Sequence, residues 1–333
     1  MSTGEVIGSG LFERVLLDPV RRGASELFVV SGYASASMVT RHFELVATEL
    51  SKEISIDLHI GMTGLDGLSK DTLLALQAIP RQIGGKTFNC TMNTKGFSNH
   101  SKVFVWCDDE GPVEAYLGSS NYTQLGFGLS KRAKNHIETC TPVNPVTAFD
   151  FVMASARGGI GYKSADLAQH VDLYDEPEFR NLANQDPDFE KPAFAYVDLP
   201  LVTLRRSSYG QIHEKSGLNW GQRDGRDPDQ AYIPVPSNIA NSGFFPPQGV
   251  HFQVVTDDGE AFICTTAQGN AKAIETPNDN SILGKYFRTR LNLASGAFVT
   301  TEDLERFGTK VVRLSKVSDD SYILSFQPGR PLF

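Results

Sequence analysis

The sequence has few cysteines and lacks any long apolar run. Its four cysteines, Cys90, Cys107, Cys140 and Cys264, show no C-x-x-C spacing, which argues against a structural zinc site and against a disulfide framework. No stretch approaches the roughly 18–20 consecutive apolar residues of a membrane span, and the first residues have neither the basic nor the apolar region of a secretory signal. We therefore expect reduced thiols, no membrane partner and a cytoplasmic location.

Acidic residues exceed basic ones, but the excess is concentrated in one segment. The 333 residues carry a net charge of -8, and residues 164–192 hold eight acidic and two basic side chains, so this segment alone contributes -6. It also contains three prolines and little periodicity, which is typical of a linker. The sequence predicts a domain at 1–163, an acidic linker at 164–192 and a domain at 193–333. Both domains are near neutral, so the total charge does not exclude a nucleic-acid partner.

The acidic linker has two interpretations. It is either a soluble spacer or a segment that mimics DNA and occupies a basic cleft until the true substrate binds.

The two halves show different patterns of secondary structure. The first alternates helical and strand-like segments, which is typical of a mixed α/β layer; its strands are predicted at 26–33, 55–60, 102–106 and 113–117, and its helices at 11–20, 38–50 and 69–79. The second has short strand-like runs at 196–204, 232–235, 251–256, 261–266, 310–315 and 322–326, and helical patterns at 281–291 and 301–307. We predict an α+β protein of two domains, the second a small β pseudobarrel with two short helices.

One segment combines residues suited to phosphodiester chemistry. His100 and Lys102 lie one residue apart at the start of a predicted strand, and because strand side chains alternate, we expect both on one side. A neutral imidazole can attack phosphorus while a neighbouring ammonium stabilises charge on the non-bridging oxygens. The next strand ends in G-S-S-N, in which Ser119 and Asn121 add neutral donors, and Glu138 follows as a carboxylate that can orient a histidine.

This H-x-K followed by G-S-x-N resembles the phospholipase D superfamily. Asn135 and Glu138 are similar to its N-x-E element, with one extra residue between them. Cys107 stands where the superfamily usually has an aspartate, a structural position, and Asp108 and Asp109 follow it. A second H-x-K, at His213, has no G-S-x-N after it, so we do not expect it to be catalytic.

The resemblance implies a two-step reaction without a metal or another cofactor. One histidine bonds to phosphorus, and a second protonates the leaving oxygen and then activates water. Because the full motif occurs once in the chain, we expect a homodimer with one composite active site. The expected catalytic residues are His100, Lys102, Asn121, Glu138 and Ser119.

Two segments of the second half, 205–230 and 268–291, are dense in side chains that contact DNA. Arg, Asn and Gln make bidentate contacts with base edges, and Lys and Arg contact phosphates. This layout resembles the two recognition arms of the plant B-three DNA-binding pseudobarrel. On one helix face we expect Lys285 and Arg288 to meet backbone phosphates. The expected DNA-binding residues are Arg205, Arg206, Asn219, Trp220, Gln222, Arg223, Arg226, Asn270, Lys272, Asn280, Lys285, Arg288 and Arg290.

The combination of the two halves resembles the BfiI-like restriction endonucleases. That resemblance implies site-specific, metal-independent cleavage of double-stranded DNA by a homodimer, together with a companion DNA methyltransferase.

Three alternatives belong to other classes. The chain could be the nuclease subunit of an ATP-dependent restriction complex, whose translocase or helicase would be a separate chain because no P-loop occurs here. It could be a phospholipase D-type lipid phosphodiesterase, which would usually carry two copies of the motif. A DNA-binding regulator with a relic nuclease domain is disfavoured by the intact catalytic set.

Overall fold

The computed structural model describes residues 4–130, 136–175, 196–204 and 206–330, with the backbone alone for Arg206. The chain forms two compact units that divide after residue 176. The first unit therefore continues past the predicted boundary at residue 163. No helix among these residues has both the length and the apolar character needed to cross a membrane.

The strands of the first unit form one large mixed sheet and one small parallel pair. In chain order they are β1 (Glu26–Ser31), β2 (Ser55–Ile60), β3 (Leu68–Ser69), β4 (Phe88–Met92), β5 (Val103–Asp108), β6 (Gly111–Gly118), β7 (Cys140–Val143), β8 (Ile160–Gly161) and β9 (Leu173–Tyr174). The large sheet has the order β7-β6-β5-β1-β2-β4-β8. Its centre, β1-β2-β4, is parallel, and the other pairings are antiparallel. The mixed α/β prediction is confirmed for this unit.

Helices cover the sheet, and their first turns are capped by the side chains that the sequence provides. A π-helical stretch (Phe12–Leu17) leads into the first of six α-helices among the described residues of this unit: α1 (Asp18–Arg21), α2 (Ala36–Leu50), α3 (Thr63–Asp66), α4 (Lys70–Gln82), α5 (Pro145–Ala156) and α6 (Leu167–His170). Ser35 and Ser69 accept backbone N–H bonds at the starts of α2 and α4, which satisfies groups that a helix end leaves unpaired. Helix α5 packs on β1, β5 and β6.

A buried aromatic cluster lies directly beside the G-S-S-N turn. The Trp106 indole donates to the Val15 carbonyl oxygen at 2.8 Å, and the His42 ring lies 2.8 Å from the Tyr122 hydroxyl and 3.3 Å from the Leu16 carbonyl oxygen. Burial lowers the pKa of His42 to about 4, because an imidazolium would lose its hydration there. Since Tyr122 follows Asn121 directly, this cluster holds the turn in place.

The first residues of the acidic segment pack onto the first unit. Strand β9 pairs in parallel with β3, and Asp172 and Asp175 form ion pairs with Lys95 at 2.7 Å and Lys70 at 2.8 Å. Gly67 (φ +74°) passes so close that a Cβ there would lie 2.5 Å from the Asp172 carbonyl oxygen. The acidic segment is therefore anchored as far as residue 175.

The described part of the second unit contains seven further strands, which wrap around an aromatic core. They are β10 (Tyr196–Pro200), β11 (Ile233–Pro234), β12 (His251–Thr256), β13 (Ala261–Ala267), β14 (Ala273–Glu275), β15 (Val311–Ser318) and β16 (Ser321–Ser325). Their order is β10-β15-β16-β12-β13-β14-β11, and the two end strands contact each other, so the sheet is a nearly closed barrel. The core includes Phe252, Phe287, Tyr322 and Phe326. The predicted pseudobarrel is confirmed in this form.

Short helices connect the strands of the barrel. Two 3-10 helices (Arg206–Ser208 and Gly217–Gln222) precede α7 (Ser237–Ala240), α8 (Ser281–Arg290) and α9 (Thr301–Phe307). At the start of α9, Thr300 and Asp303 form a capping box, in which they exchange side-chain and backbone hydrogen bonds.

Candidate active site

His100 and Lys102 lie in an extended stretch just before β5, not on it. The strand begins at Val103, so both residues lie outside the strand on which they were predicted. Instead, the Lys102 ammonium turns back and donates to the His100 carbonyl oxygen at 2.7 Å. The His100 side chain is exposed and the Lys102 side chain is buried. Burial lowers the pKa of Lys102, and the nearby Glu138 carboxylate partly opposes that shift.

Asn121 lies beside His100 because both contact Gly32. A Cβ at Gly32 would lie 2.7 Å from the His100 Cδ2 and 3.4 Å from the Asn121 Oδ1, so a side chain there would displace the imidazole. The Asn121 oxygen accepts from the backbone N–H of Tyr33 at 3.2 Å. With its oxygen engaged, Asn121 can offer its amide N–H groups to a ligand.

Ser119 and Glu138 bind each other and form one side of the site. The Ser119 hydroxyl donates to one Glu138 oxygen in a short hydrogen bond and accepts from the backbone N–H of Thr139 at 3.0 Å. The other Glu138 oxygen lies 3.0 Å from the His136 Nε2. Glu138 thus contacts His136 and not His100, and the Ser119 hydroxyl is used inside the protein. Asn135 lies outside the described residues.

Asn99 clamps the chain immediately before His100, a role that the motif does not reveal. Its side-chain oxygen accepts from the backbone N–H of Ser101 at 2.9 Å, its amide donates to the Ser155 hydroxyl at 3.1 Å, and its own N–H donates to the Gly61 carbonyl at 2.8 Å. Gly61 is required there because a Cβ would lie 2.0 Å from the Asn99 carbonyl oxygen. The only hint of this role in the sequence was a glycine, Gly61, several tens of residues before the N-H-x-K segment.

In the second unit, a groove of about 670 Å³ is lined by residues of both predicted arms. Arg223 comes from the first arm, and Gln268 and Lys272 come from the second. His213 also lines the groove, although the sequence analysis gave it no role. Its Nδ1 accepts the backbone N–H of Lys215 at 3.0 Å, so the neutral ring carries its proton on Nε2 and can donate from there.

Among the other predicted arm residues, some contact neighbouring groups of the protein and others are exposed. The Arg226 guanidinium stacks on Trp220 at 4.0 Å, and Gln222 donates to the Gly296 carbonyl at 3.1 Å. Asn270 and Lys285 are exposed, and Asn280 begins α8 with its amide 3.5 Å from the Glu275 carboxylate. Arg205 and the side chain of Arg206 lie outside the described residues.

Arg288 is buried, so the prediction that it meets phosphate beside Lys285 is wrong. Its side chain is 1% exposed and lies 3.3 Å from the Asp229 carboxylate. Burial lowers the pKa of Arg288, and Asp229 opposes that shift. The guanidinium stabilises the first arm by donating to backbone carbonyls, those of Ala297 (2.8 Å), Pro228 (2.9 Å), Gly284 (3.2 Å), Leu218 (3.3 Å) and Asp229 (3.4 Å).

Asn219 and Arg290 also serve the fold instead of meeting DNA as predicted. The Asn219 amide is fully buried and bonds both the N–H and the carbonyl of Val299, at 2.9 and 2.8 Å. Arg290 pairs with Asp257 at 2.7 Å and donates to the Phe326 carbonyl at 2.6 Å. Both side chains thus satisfy buried or half-buried polar groups of the barrel.

Comparison with known families covers most of the chain. Residues 9–167 match the family described as NgoFVII restriction endonuclease N-terminal PLD domain, and residues 195–318 match the NgoFVII C-terminal B3-like DNA-binding domain. No curated protein matches the sequence. Among solved structures, polyphosphate kinase from Porphyromonas gingivalis is 15% identical over 50% of this chain with a TM-score of 0.30. This chain spans 26% of that kinase, so the likeness is too partial to carry an argument.

Proposed function

Because the chain belongs to the NgoFVII restriction endonuclease family, we propose that it hydrolyses DNA at or near a specific sequence, with His100 as the nucleophile. The observation that carries the proposal is the placement of the exposed His100 imidazole beside the Asn121 amide on Gly32, with Lys102 bonded to the His100 carbonyl oxygen. These groups offer one nucleophile, one cation and one neutral donor to a single phosphate. That set suits attack on a phosphodiester without a metal.

The reaction has two displacements at phosphorus. A His100 nitrogen bonds to phosphorus while the bond from phosphorus to the leaving nucleotide oxygen breaks, and that oxygen takes a proton from the His100 of a second copy. The second imidazole then removes a proton from water, whose oxygen displaces the first histidine. Lys102 and Asn121 stabilise the non-bridging oxygens in both steps. Two inversions retain the configuration at phosphorus.

A homodimer is part of the proposal because the motif supplies one histidine per chain. Apolar side chains on the same segments as the site support an interface there. Leu65 is 69% exposed, Phe97 is 68% exposed and Ile137 is 88% exposed. Exposed apolar side chains mark a surface that meets a partner where they form one contiguous patch. A second copy seated on them would bring the two imidazoles to one phosphate.

Sequence reading belongs to the groove of the second unit. Arg223, Lys272 and His213 line it, and Asn270, which lies between Gln268 and Lys272 in the second arm, is exposed. Because Arg288 and Asn219 hold the backbone of the first arm, Arg223 starts from a fixed loop. A prearranged loop loses less entropy when it binds.

The decisive experiment incubates the purified protein with plasmid DNA in excess EDTA, without ATP, and sequences the cut ends. We expect cleavage at fixed positions by the wild type, none by His100→Ala, and a protein–DNA adduct that requires His100. Light scattering should give the mass of two chains. Metal-dependent cleavage, an adduct formed by His100→Ala or an active monomer would overturn the mechanism. A strict need for ATP and a second protein would favour the subunit of an ATP-dependent complex.

A further inference from the structure

Tyr33 touches both groups that the proposed reaction needs. Its ring meets the His100 imidazole edge to face, with centroids 5.8 Å apart and planes at 77°. Its backbone N–H donates to the Asn121 side-chain oxygen at 3.2 Å. One residue therefore contacts the nucleophile through its side chain and the amide donor through its main chain.

Tyr33 is itself held at both ends. Its hydroxyl donates to the Asp66 carboxylate at 2.5 Å, and its carbonyl accepts from the Ser31 hydroxyl at 2.6 Å. The hydrogen bond to Asp66, with some burial, raises the pKa of Tyr33 to about 12. The phenol thus keeps its proton at neutral pH and serves as a donor to Asp66 rather than as a nucleophile.

The position of Tyr33 leaves His100 little freedom on that side. Gly32 lies against one part of the imidazole, where no Cβ would fit, and the Tyr33 ring lies against another. Asp66 lies at the end of α3, immediately before Gly67 and the β3–β9 pair. The anchor of the tyrosine therefore comes from a segment that is remote in sequence from the H-x-K motif and packs against the residues just before it.

We propose that Tyr33 is a positioning residue that holds the His100 ring and the Asn121 amide in their reactive arrangement, with Asp66 as its anchor. The inference rests on the proposed function, since it assigns Tyr33 a role in that reaction. A misplacement of about 1 Å at a reacting group can cost about 10²-fold in rate. The effect should fall on the chemical step and leave DNA binding by the groove unchanged.

The test uses the full chain, single-turnover cleavage at saturating DNA and a separate measurement of DNA affinity. Tyr33→Ala should slow cleavage by about 10²-fold with an unchanged Kd. Tyr33→Phe keeps the ring and the backbone N–H, so it should restore most of the rate. Tyr33→Phe, Asp66→Ala and the double variant should all show the same small loss, because the first change already removes the hydrogen bond. Phe151→Ala, a similarly exposed aromatic on α5, is the control and should retain the wild-type rate.

Three results would overturn the inference. One is a Tyr33→Ala variant that cuts as fast as the wild type, and another is a loss confined to Kd, which would make Tyr33 a DNA contact. The third is additivity of the Tyr33→Phe and Asp66→Ala losses. Thermal unfolding of each variant identifies any that fails to fold, and in that case Tyr33→Phe and Asp66→Ala carry the test. Failure of the proposed function looks different, because then His100→Ala itself would still cut DNA.

Discussion

The Lys102 ammonium donates to the carbonyl oxygen of His100 at 2.7 Å, which joins the two residues of the motif through the main chain. The ammonium is therefore held at the backbone of the histidine that we propose it assists. A phosphate oxygen is a stronger acceptor than a neutral carbonyl because the hydrogen bond is then charge-assisted on both sides. Bound DNA would redirect the ammonium over a short distance.

Replacing Lys102 by methionine tests this role. We expect Lys102→Met to slow single-turnover cleavage by about 10²–10³-fold, the usual cost of losing a donor to developing charge. DNA affinity should change little, since we propose that the groove supplies it. Lys163→Met, at an exposed lysine of the same unit, is the control. A Lys102→Met variant with the full rate would contradict the assignment.

His42 makes stability depend on pH. Its pKa is about 4 in the folded protein and about 6.5 when unfolded, so below pH 6.5 the unfolded chain gains a proton that the folded chain lacks. The stability from the neutral ring is complete above pH 6.5 and is lost as the pH falls towards 4, by about 3 kcal/mol in total. Denaturant unfolding of the wild type and of His42→Gln should show a steeper acid slope for the wild type. Parallel slopes would contradict the burial of this ring.

Arg288 and Lys285 lie one turn apart on α8, but their loss should affect different properties. Substitution of Arg288 should lower protein stability, and substitution of Lys285 should change DNA binding. Arg288→Met removes one partner of a buried ion pair and should destabilise the protein by about 3–5 kcal/mol. Lys285→Met changes an exposed side chain and should alter stability by no more than about 0.5 kcal/mol. If Lys285 contacts a phosphate, its loss should lower the salt dependence of DNA binding by about one unit of slope. Chemical denaturation and binding titrations at several salt concentrations measure both effects.

Arg223 should carry sequence specificity. Its Nε donates to the Lys215 carbonyl at 2.7 Å, which leaves its terminal nitrogens for a base edge in the groove. Arg223→Ala should weaken binding to the target sequence by about 1–3 kcal/mol and leave binding to unrelated DNA nearly unchanged. Arg306→Ala, at an exposed arginine on α9, is the control. Equal weakening on both DNAs would make Arg223 a phosphate contact.

The ion pairs at the start of the acidic segment allow a test of whether the segment mimics DNA or is a spacer. Asp172 and Asp175 neutralise Lys95 and Lys70 at exposed positions, where such pairs add little stability. If the segment competes with DNA, Asp172→Asn with Asp175→Asn should increase nicking of DNA without the target several-fold at low salt, and added salt should reduce the difference. Asp150→Asn, at an exposed aspartate of the same unit outside the segment, is the control. Unchanged nicking would identify the segment as a spacer.

The secondary structure and the short motifs could be predicted from the sequence. The contacts between residues far apart in the sequence could not. The strand and helix periods, the H-x-K and the G-S-S-N turn are local, and the structure places His100 and Asn121 side by side. The Asp66 partner of Tyr33 and the carbonyl partners of Arg288 come from remote segments, and residue spacing does not encode them. Gly284, Arg288 and Leu291 do follow a helical spacing on one buried face. That stripe was the signal that Arg288 points inward.

The pairing of β10 with β15 sets the order in which the chain can mature during synthesis. Tyr196 pairs with Ser315, so the barrel cannot close until residue 315 has left the ribosome. The sheet of the first unit is complete once Gly161 has emerged. Domains generally fold as units in the order of their synthesis. Each nascent chain therefore folds the unit that contains His100 well before it completes the unit that contains the groove.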